Sequence, residues 1–303
     1  MTKTVFVYLT FLFSLATLAQ ENISLWPKGK MPNTKGLMLE HIEERERITQ
    51  VSEPKMLAFF PPKEEQNGSS ILILPSGGYQ KLTYNLGGIQ LAKWYNTQGI
   101  TAFVLLYRLP NSPDLIISEQ GPIQDAQRAM KLIRTNAQKW NLNKGKVGVF
   151  GSSAGGHLAS TIATHSTDFS NIENDTISKQ SFKPNFMVLV SPVISFGKYT
   201  HEGSKKNFLG DYLTTENIHY YSNEFHVSRQ TPPTILFHAQ NDHAVNPMNS
   251  ILFYQAMLEN NVKGSLHIFP KGGHSIGIYN ASNLTELWKT ISTKWLKEIE
   301  VIP

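Results

Sequence analysis

The chain has 303 residues, of which 40% are apolar, and it carries a formal net charge of +5 from 28 basic and 23 acidic side chains. That length and apolar content are enough for one large domain or two small ones, and the basic residues lack the clustering of a nucleic-acid-binding surface. Cysteine is absent, which excludes disulfides, thiolate catalysis, cysteine-ligated zinc and a lipid anchor on cysteine.

The first 19 residues have the pattern of a secretory signal peptide. Lys3 makes the start basic, residues 5–18 are mainly apolar, and the motif TLA at 17–19 offers a small-residue cleavage site before Gln20. The apolar stretch is short and soon followed by polar sequence, which disfavours a membrane span. We therefore expect export to the periplasm or the outside medium as residues 20–303; an uncleaved N-terminal anchor is the alternative.

Apolar runs with little polar alternation recur along the rest of the chain. They predict strands over residues 48–51, 56–60, 70–74, 100–106, 147–150, 186–190, 234–238 and 265–269. Apolar residues at helical spacing, or small residues, predict helices over residues 88–96, 122–138, 157–163, 248–259 and 284–297. Strands that are apolar throughout, without alternating polar residues, are typical of a parallel sheet that helices cover on both faces.

From residue 70 to the end, the predicted strands and helices alternate without an internal repeat. This order is typical of one doubly wound, mostly parallel α/β sheet, so we predict that residues 20–303 form a single domain. Residues 194–230 are the exception, because they are polar, dotted with aromatic residues and placed between two strands. We predict that this insertion covers the strand ends as a small cap or long loop. The charged segment 40–47 is expected to be a solvated surface.

The sequence GSSAG at residues 151–155 directly follows the predicted strand 147–150 and precedes a predicted helix. Strand, Gly-x-Ser-x-Gly and helix together are typical of a nucleophile elbow, in which the serine lies on a sharp turn. Glycines two positions before and after Ser153 avoid collisions with the neighbouring strand and helix. The pattern predicts Ser153 as a nucleophile; a plain Gly-rich turn is the alternative.

A serine hydroxyl needs a base to take its proton and an acid to orient that base. Asp242 follows the strand 234–238, and His274 follows the strand 265–269. Because loops after parallel strands meet in one crevice, both side chains can converge on Ser153. We therefore predict Asp242 as the acid and His274 as the base, with an Asx turn as the alternative role of Asp242.

Five further charged or titratable residues have simpler interpretations. His157, beside the elbow, is expected to pack or to form a local hydrogen bond, and His238 and His243 are expected to be structural. Arg108 and Asp125 are expected to form a structural ion pair.

The sequence PSGGY at residues 75–79 follows the strand 70–74, where such sheets place an oxyanion hole. We predict that the backbone N–H groups of Gly77, Gly78 and Ala154 bind the oxyanion, and that Tyr79 borders the substrate pocket. A simple Gly-Gly turn is the alternative. The sequence has no zinc-ligand spacing, phosphate-binding loop or dinucleotide fingerprint, so neither a metal nor a cofactor is expected.

These motifs resemble those of the bacterial α/β-hydrolase esterases known as acetyl-xylan-esterase-like, and the resemblance runs from Leu25 to Trp288. It is carried by the segments GGY (77–79), GITAFVL (99–105), DAQRA (125–129), GSSAGGHLAS (151–160), TPPT (231–234), NSILFY (249–254) and GGH (272–274). Two positions depart from the family pattern. Ser76 stands where the family usually has glycine, and Gly87 stands where it commonly has glutamate.

The resemblance implies a serine esterase with Ser153 as nucleophile, Asp242 as acid and His274 as base. It also implies that the substrates are O-acetyl groups on plant or algal polysaccharide fragments such as xylan. A peptidase or lipase on the same fold is an alternative, because fold and triad do not select the acyl group. A catalytically inactive glycan-binding protein is a further alternative from another class. The oligomeric state does not follow from the sequence.

Overall fold

The protein is represented by a computed structural model that describes residues 21–274 and 284–303. The signal peptide predicted at residues 1–19 lies outside the described residues. Within these two ranges, no helix combines the length and apolar character needed to cross a bilayer.

The described residues form strands and helices that alternate from residue 70 onward. The strands are β1 (Glu21–Ser24), β2 (Ile42–Glu44), β3 (Arg47–Gln50), β4 (Lys55–Phe59), β5 (Ser70–Leu74), β6 (Thr101–Leu106), β7 (Val147–Ser152), β8 (Met187–Val190), β9 (Thr234–Ala239) and β10 (Gly264–Phe269). The α-helices are α1 (Gln90–Asn96), α2 (Gln120–Thr135), α3 (Ala154–Thr164), α4 (Glu202–Leu209), α5 (Thr215–Tyr220), α6 (Met248–Glu259) and α7 (Leu287–Glu298).

Eight of these strands make one sheet in the order β1-β4-β6-β5-β7-β8-β9-β10. β4 is antiparallel to both of its neighbours, whereas every pairing from β6 to β10 is parallel. The central strands are buried along their whole length, which is why their sequences are continuously apolar rather than alternating. The predicted fold class, a doubly wound and mostly parallel α/β sheet, is confirmed.

Helices cover both faces of the sheet. α2 and α3 pack together on one face. On the other face, α1 and α7 meet through Trp94 and Trp288, whose ring centroids are 5.4 Å apart, and Trp288 also contacts Phe150 and Phe237 of the sheet. Because the strands between β5 and β9 run in one direction, their C-terminal ends and the loops that follow them lie at one edge.

Two features of the N-terminal region differ from the sequence-based expectations. β1 was not predicted, because it is short and only every second residue is partly buried. The segment 40–47 is exposed as expected, but it forms a hairpin of β2 with β3, and Arg45 and Glu46 at its turn both have positive φ angles. The strand predicted at 48–51 therefore belongs to this hairpin and not to the main sheet.

A buried ion pair joins the segment after β6 to α2 and also binds the N-terminal segment. Arg108 and Asp125 approach to 2.9 Å with side chains that are 2% and 0% exposed, which confirms the expected pair. Asp125 also accepts a hydrogen bond from the indole of Trp26, and Arg108 donates one to the carbonyl of Pro32. All the charged hydrogen-bonding groups of the pair are thus engaged, as burial of charge requires.

The insertion at residues 194–230 contains α4, α5 and a short 3₁₀ turn, Asn223–His226. Both α-helices are short and begin at a side-chain cap: His201 accepts from the N–H of Ser204, and Thr214 accepts from the N–H of Asn217. Phe208 of α4 packs on Tyr79, with ring centroids 4.7 Å apart. The insertion therefore lies against the loop that follows β5, at the edge where the strands end.

Candidate active site

Ser153 lies between β7 and α3 on a sharp turn. Its φ of 53° and ψ of −124° are in a region of backbone conformation that residues other than glycine rarely adopt. The backbone is held by hydrogen bonds in which Ser153 N–H donates to Val190 and Val193 N–H donates to the Ser153 carbonyl. Such strain persists only where surrounding contacts fix it, and it is common at functional sites.

The glycines around Ser153 are required by close backbone approach. A Cβ on Gly151 would lie 2.3 Å from the carbonyl oxygen of Gly155, and a Cβ on Gly155 would lie 2.1 Å from the carbonyl oxygen of Leu74. The neighbouring atoms are backbone, so they cannot move aside without shifting the strand or helix. The elbow predicted from residues 151–155 therefore has the expected local structure.

The structure brings Ser153, His274 and Asp242 together in one hydrogen-bonded chain. Nε2 of His274 is 2.9 Å from Oγ of Ser153, and Nδ1 of His274 is 2.8 Å from Oδ2 of Asp242. Both distances are within the range of a good hydrogen bond. Since Asp242 accepts from Nδ1, the neutral ring presents the lone pair of Nε2 to the serine hydroxyl.

Asp242 uses its two oxygens for different partners. Oδ1 accepts from the N–H groups of Ala244 and Val245, both at 2.9 Å, which makes an Asx turn. Oδ2 faces His274 at 2.8 Å and Nε2 of His238 at 3.3 Å. The turn and the contact with His274, which were alternatives from sequence, therefore coexist.

The environment keeps Asp242 ionised. Burial alone raises the pKa of this carboxyl, but the hydrogen bonds from His238 and His274 and from the Val245 N–H outweigh that effect and hold the pKa well below its usual range. The carboxylate is consequently charged at neutral pH, as an orienting acid must be.

His238 is fully buried on β9 and supports Asp242 from behind. Its Nδ1 bonds the hydroxyl of Ser250, and its Nε2 lies 3.0 Å from the Val245 carbonyl. A carbonyl can only accept, so Nε2 carries the proton and also points it toward Asp242. This agrees with the structural role expected for His238. His243, in contrast, is exposed.

The loop after β5 has an unusual backbone conformation over three consecutive residues. Gly77, Gly78 and Tyr79 have consecutive positive φ angles of 138°, 64° and 60°. Among the described residues, no acceptor engages the N–H of Gly77, Gly78 or Ala154. The loop also adjoins the elbow, because the Pro75 carbonyl oxygen would lie 2.9 Å from a Cβ on Gly155.

Tyr79 differs from the expectation that it borders the substrate pocket. Its side chain is fully buried, and its hydroxyl lies 2.9 Å from Nδ1 of His157. His157 in turn donates from Nε2 to the carbonyl of Tyr221, which is 64 residues farther along the chain. The expectation of a local hydrogen bond for His157 was therefore wrong. The ring of Tyr79 therefore supports the loop from beneath and does not face a substrate.

The two departures from the family pattern are neighbours in space. Oγ of Ser76 is 2.6 Å from Oγ1 of Thr83. A Cβ on Gly87 would lie 3.7 Å from that Thr83 oxygen and 3.8 Å from Oγ of Ser76, which is ordinary van der Waals contact. The Ser76 hydroxyl is therefore engaged by Thr83.

The insertion contributes two side chains to this region that the sequence did not suggest. Nδ2 of Asn207 donates to the Gly78 carbonyl at 2.8 Å. Cε1 of His201 would lie 4.0 Å from a Cβ placed on Gly78. No short-range signal could have identified them, because both are more than 120 residues from Gly78 in the chain. Within the described ranges, no cluster of three or more potential ligand residues could hold a metal ion.

The BD-FAE family profile matches residues 59–257 of the chain. An acetylxylan esterase from Xylanibacter ruminicola is 35% identical over 255 residues, and an endo-1,4-β-xylanase B from Butyrivibrio fibrisolvens is 32% identical over 227 residues. These alignments cover 81% and 75% of this chain. They cover only 48% and 35% of the two relatives, so the chain spans about half or less of their length.

Solved structures agree with the observed fold. An acetyl ester-xyloside bifunctional hydrolase from Caldicellulosiruptor lactoaceticus superimposes with a TM-score of 0.79 at 32% identity, covering 93% of this chain and 97% of that one. A carboxylesterase from Lactobacillus plantarum superimposes with a TM-score of 0.69 at 20% identity, covering 84% and 96%, a likeness that concerns the fold alone. With the profile match over most of the chain, these similarities identify the protein as an acetylxylan-esterase-like member of the BD-FAE family of α/β hydrolases.

Proposed function

We propose that this protein is an exported serine esterase that hydrolyses short-chain, chiefly acetyl, esters on plant or algal polysaccharide fragments such as xylan. The observation that carries the proposal is the continuous hydrogen-bonded chain from Ser153 through His274 to Asp242 on a nucleophile elbow. The similarity to an acetylxylan esterase and to an acetyl ester-xyloside hydrolase supports the substrate class.

Acylation begins with the Ser153 hydroxyl at Nε2 of His274. The base takes the hydroxyl proton while Oγ forms a bond to the ester carbonyl carbon, and the carbonyl π electrons move to its oxygen. The negative oxygen accepts hydrogen bonds from the N–H of Ala154 and from Gly77 or Gly78. These donors are fixed before the reaction, so they stabilise the charge without reorganisation.

The tetrahedral intermediate then expels the alcohol. The electron pair on the oxyanion reforms the carbonyl, the bond to the alcohol oxygen breaks, and the imidazolium of His274 returns its proton to that oxygen. Water repeats the sequence on the acyl-Ser153 and releases the carboxylic acid. Asp242 accepts from Nδ1 throughout, which fixes the ring orientation and stabilises the transient positive charge.

The first test is release of acetate from acetylated xylo-oligosaccharides and from a short aryl acetate by residues 20–303. We expect turnover of both substrates and a fall in kcat of roughly 10³-fold or more for Ser153→Ala. The Ser153→Ala protein should retain the circular dichroism spectrum and melting temperature of the parent, because the hydroxyl is not part of the core packing.

Each other outcome indicates a different function. Turnover of the aryl acetate alone would retain the triad but refute the polysaccharide substrate. Absence of turnover on both substrates by folded protein would refute the esterase proposal and favour a peptidase or a glycan-binding protein. Activity that survives Ser153→Ala would refute Ser153 as the nucleophile.

The proposal includes export, on the basis of the basic, apolar and small-residue order of residues 1–19. Expression of the full chain in a Gram-negative host should yield a mature product that begins at Gln20 and is found outside the cytoplasm. Mass spectrometry of the purified product gives the cleavage site. A product that retains residues 1–19 and sediments with membranes would instead indicate an N-terminal anchor.

A further inference from the structure

We propose that His201 determines specificity by donating a hydrogen bond from Nε2 to a hydroxyl group in the alcohol part of the ester. This rests on the proposed esterase function and deepens it, because it names the part of the substrate that the insertion recognises. Three independent observations support it: the position of His201 beside the loop after β5, the tautomer that its cap contact imposes, and its unused donor.

His201 is placed beside the catalytic groups by the start of α4. Its Cε1 would lie 4.0 Å from a Cβ on Gly78, whose N–H is a predicted oxyanion donor. Asn207 lies about two turns farther along α4. It anchors Gly78 by donating a hydrogen bond to the Gly78 carbonyl at 2.8 Å. A bound ester carbonyl at the Gly78 N–H would therefore bring the rest of the ester close to the imidazole of His201.

The cap of α4 fixes the tautomer of His201. The backbone N–H of Ser204 can only donate, and it lies 3.1 Å from Nδ1 of His201. Nδ1 must therefore be the unprotonated nitrogen, and the proton of the neutral ring is on Nε2. The hydroxyl of Ser204, at 2.8 Å from Nδ1, can donate to the same nitrogen. The ring is thus held as an oriented N–H donor.

The Nε2 donor of His201 is available for a ligand. Among the described residues, it has no hydrogen-bond acceptor, and the side chain is half-buried rather than enclosed. Burial lowers the pKa of His201, a charge on His274 acts in the same direction, and the carboxylates of Asp242 and Glu202 act against it. The ring is therefore neutral at pH 7. In that form it offers one N–H donor and places no positive charge near His274.

A neutral N–H donor near the reacting ester suits an alcohol that carries further hydroxyl groups. Sugar rings present hydroxyl oxygens on the carbons adjacent to an acetylated position, whereas aryl and simple alkyl acetates have no such acceptor. A site built to bond a substrate hydroxyl discriminates against analogues that lack it, because its polar group is then left without a partner. His201 should therefore favour polyol esters without contributing to the chemistry of the triad.

The substitution His201→Asn tests this role while preserving the helix cap. Asparagine is a preferred N-cap residue whose oxygen can accept from Ser204, but its short side chain cannot place a donor where Nε2 was. The substrates are acetylated xylo-oligosaccharides, glycerol monoacetate, propyl acetate and a short aryl acetate. We expect His201→Asn to lower kcat/KM about five- to tenfold on the two hydroxyl-bearing esters, and to leave the other two within about twofold.

Asn207→Ala is the matched control on the same helix. It removes the hydrogen bond to the Gly78 carbonyl and so weakens the support of the loop after β5, without removing a contact to the substrate. We therefore expect it to lower kcat on all four esters alike. An equal loss on all four esters for His201→Asn would overturn the proposal and indicate the same loop-supporting role. An unchanged kcat/KM on every ester would overturn it as well.

The design separates this proposal from the proposed polysaccharide substrate. If the parent protein fails on acetylated xylo-oligosaccharides but His201→Asn selectively loses glycerol monoacetate, the polysaccharide substrate is refuted and hydroxyl recognition by His201 stands. If the parent protein hydrolyses the oligosaccharides and the variant shows no selective loss, the esterase function stands and the role of His201 is refuted. Absence of turnover on all four esters refutes both.

Discussion

At the scale of single residues, Asp242 shows how one side chain can serve structure and chemistry at once. One oxygen closes the turn to Ala244 and Val245, and the other faces His274. These two contacts can be separated experimentally, because an amide retains an acceptor oxygen for the turn but cannot accept from His274 with its nitrogen.

We predict that Asp242→Asn lowers kcat by about 10³- to 10⁴-fold while leaving the fold intact. The amide oxygen can still accept from Ala244 and Val245, whereas the amide nitrogen would face Nδ1 and favour the tautomer that protonates Nε2. The base would then have no lone pair for the Ser153 hydroxyl. Steady-state kinetics with an aryl acetate and thermal unfolding of the same preparation measure the two effects.

Asp242→Ala provides the comparison, because it removes the Asx turn as well as the contact with His274. It should show a similar loss of kcat and, in addition, a lower free energy of unfolding, by about 1–3 kcal/mol, because the buried N–H of Val245 and the partly buried N–H of Ala244 lose their acceptor. If Asp242→Asn retains more than about a tenth of the parent kcat, orientation of His274 by Asp242 is not essential.

The sequence predicted the residues of the hydrogen-bonded chain better than those around it. Ser153, Asp242 and His274 each follow a strand, and parallel strands bring their C-terminal loops together. The surroundings of Tyr79 and His201 depend on α4, which is distant in sequence. Tyr79 was expected at a pocket because it ends the loop predicted to bind the oxyanion, but Phe208 of α4 packs on its ring.

At the scale of elements, the elbow depends on glycine at the point where α3 passes the end of β5. A Cβ on Gly155 would lie 2.1 Å from the Leu74 carbonyl oxygen and 2.9 Å from that of Pro75. The first belongs to β5, and the second begins the loop with Gly77 and Gly78. A side chain at position 155 would therefore push the elbow away from the loop that faces it.

We predict that Gly155→Ala lowers stability by about 1–3 kcal/mol or prevents folding, and that any folded fraction loses most of its kcat because Ala154 and the loop after β5 separate. Gly87→Ala is the control, because its Cβ would meet Thr83 and Ser76 only at ordinary contact distances. Urea unfolding and aryl acetate kinetics compare the two variants. Equal stability and activity of Gly155→Ala and the parent protein would contradict the close approach.

The elements themselves were predictable to different degrees. The buried strands of the sheet and α6 have continuous apolar or helical patterns, and their predicted positions agree closely with the structure. α4 and α5 carry no such pattern, because they are short and polar and depend on their caps and on contacts with the domain. The sequence pattern therefore predicts the strands and helices of the sheet, but for residues 194–230 it predicts only a small cap or long loop, without the helices α4 and α5.

At the scale of the whole molecule, several buried histidines connect distant parts of the chain in their neutral form. His157 joins the elbow helix to Tyr79 and to the carbonyl of Tyr221. His165 bonds the Asn223 side chain in the insertion. Folding therefore depends on keeping these rings uncharged, which makes stability a function of pH.

The shifts in pKa have the same sign and the same leading cause. Burial lowers the pKa of His157 from an ordinary value of 6.5 to about 4, against the opposing hydrogen bond to Tyr221. Burial, reinforced by His226, lowers the pKa of His165 to about 3. Between pH 6.5 and these values the unfolded chain binds protons that the folded chain does not, so the stabilisation is complete above pH 6.5 and is lost as the pH falls.

We predict that the free energy of unfolding decreases between pH 7.5 and pH 5, with each buried histidine adding up to about 1.4 kcal/mol per pH unit below 6.5. His157→Gln isolates one contribution, because glutamine can bond Tyr79 and Tyr221 but does not titrate. Urea unfolding at intervals across this range should give a slope for His157→Gln that is smaller by about 1.2 kcal/mol per pH unit near pH 5.5. The same slope in both proteins would mean that protonation of His157 is not linked to folding, and a constant stability down to pH 5 would rule out the linkage for His165 as well.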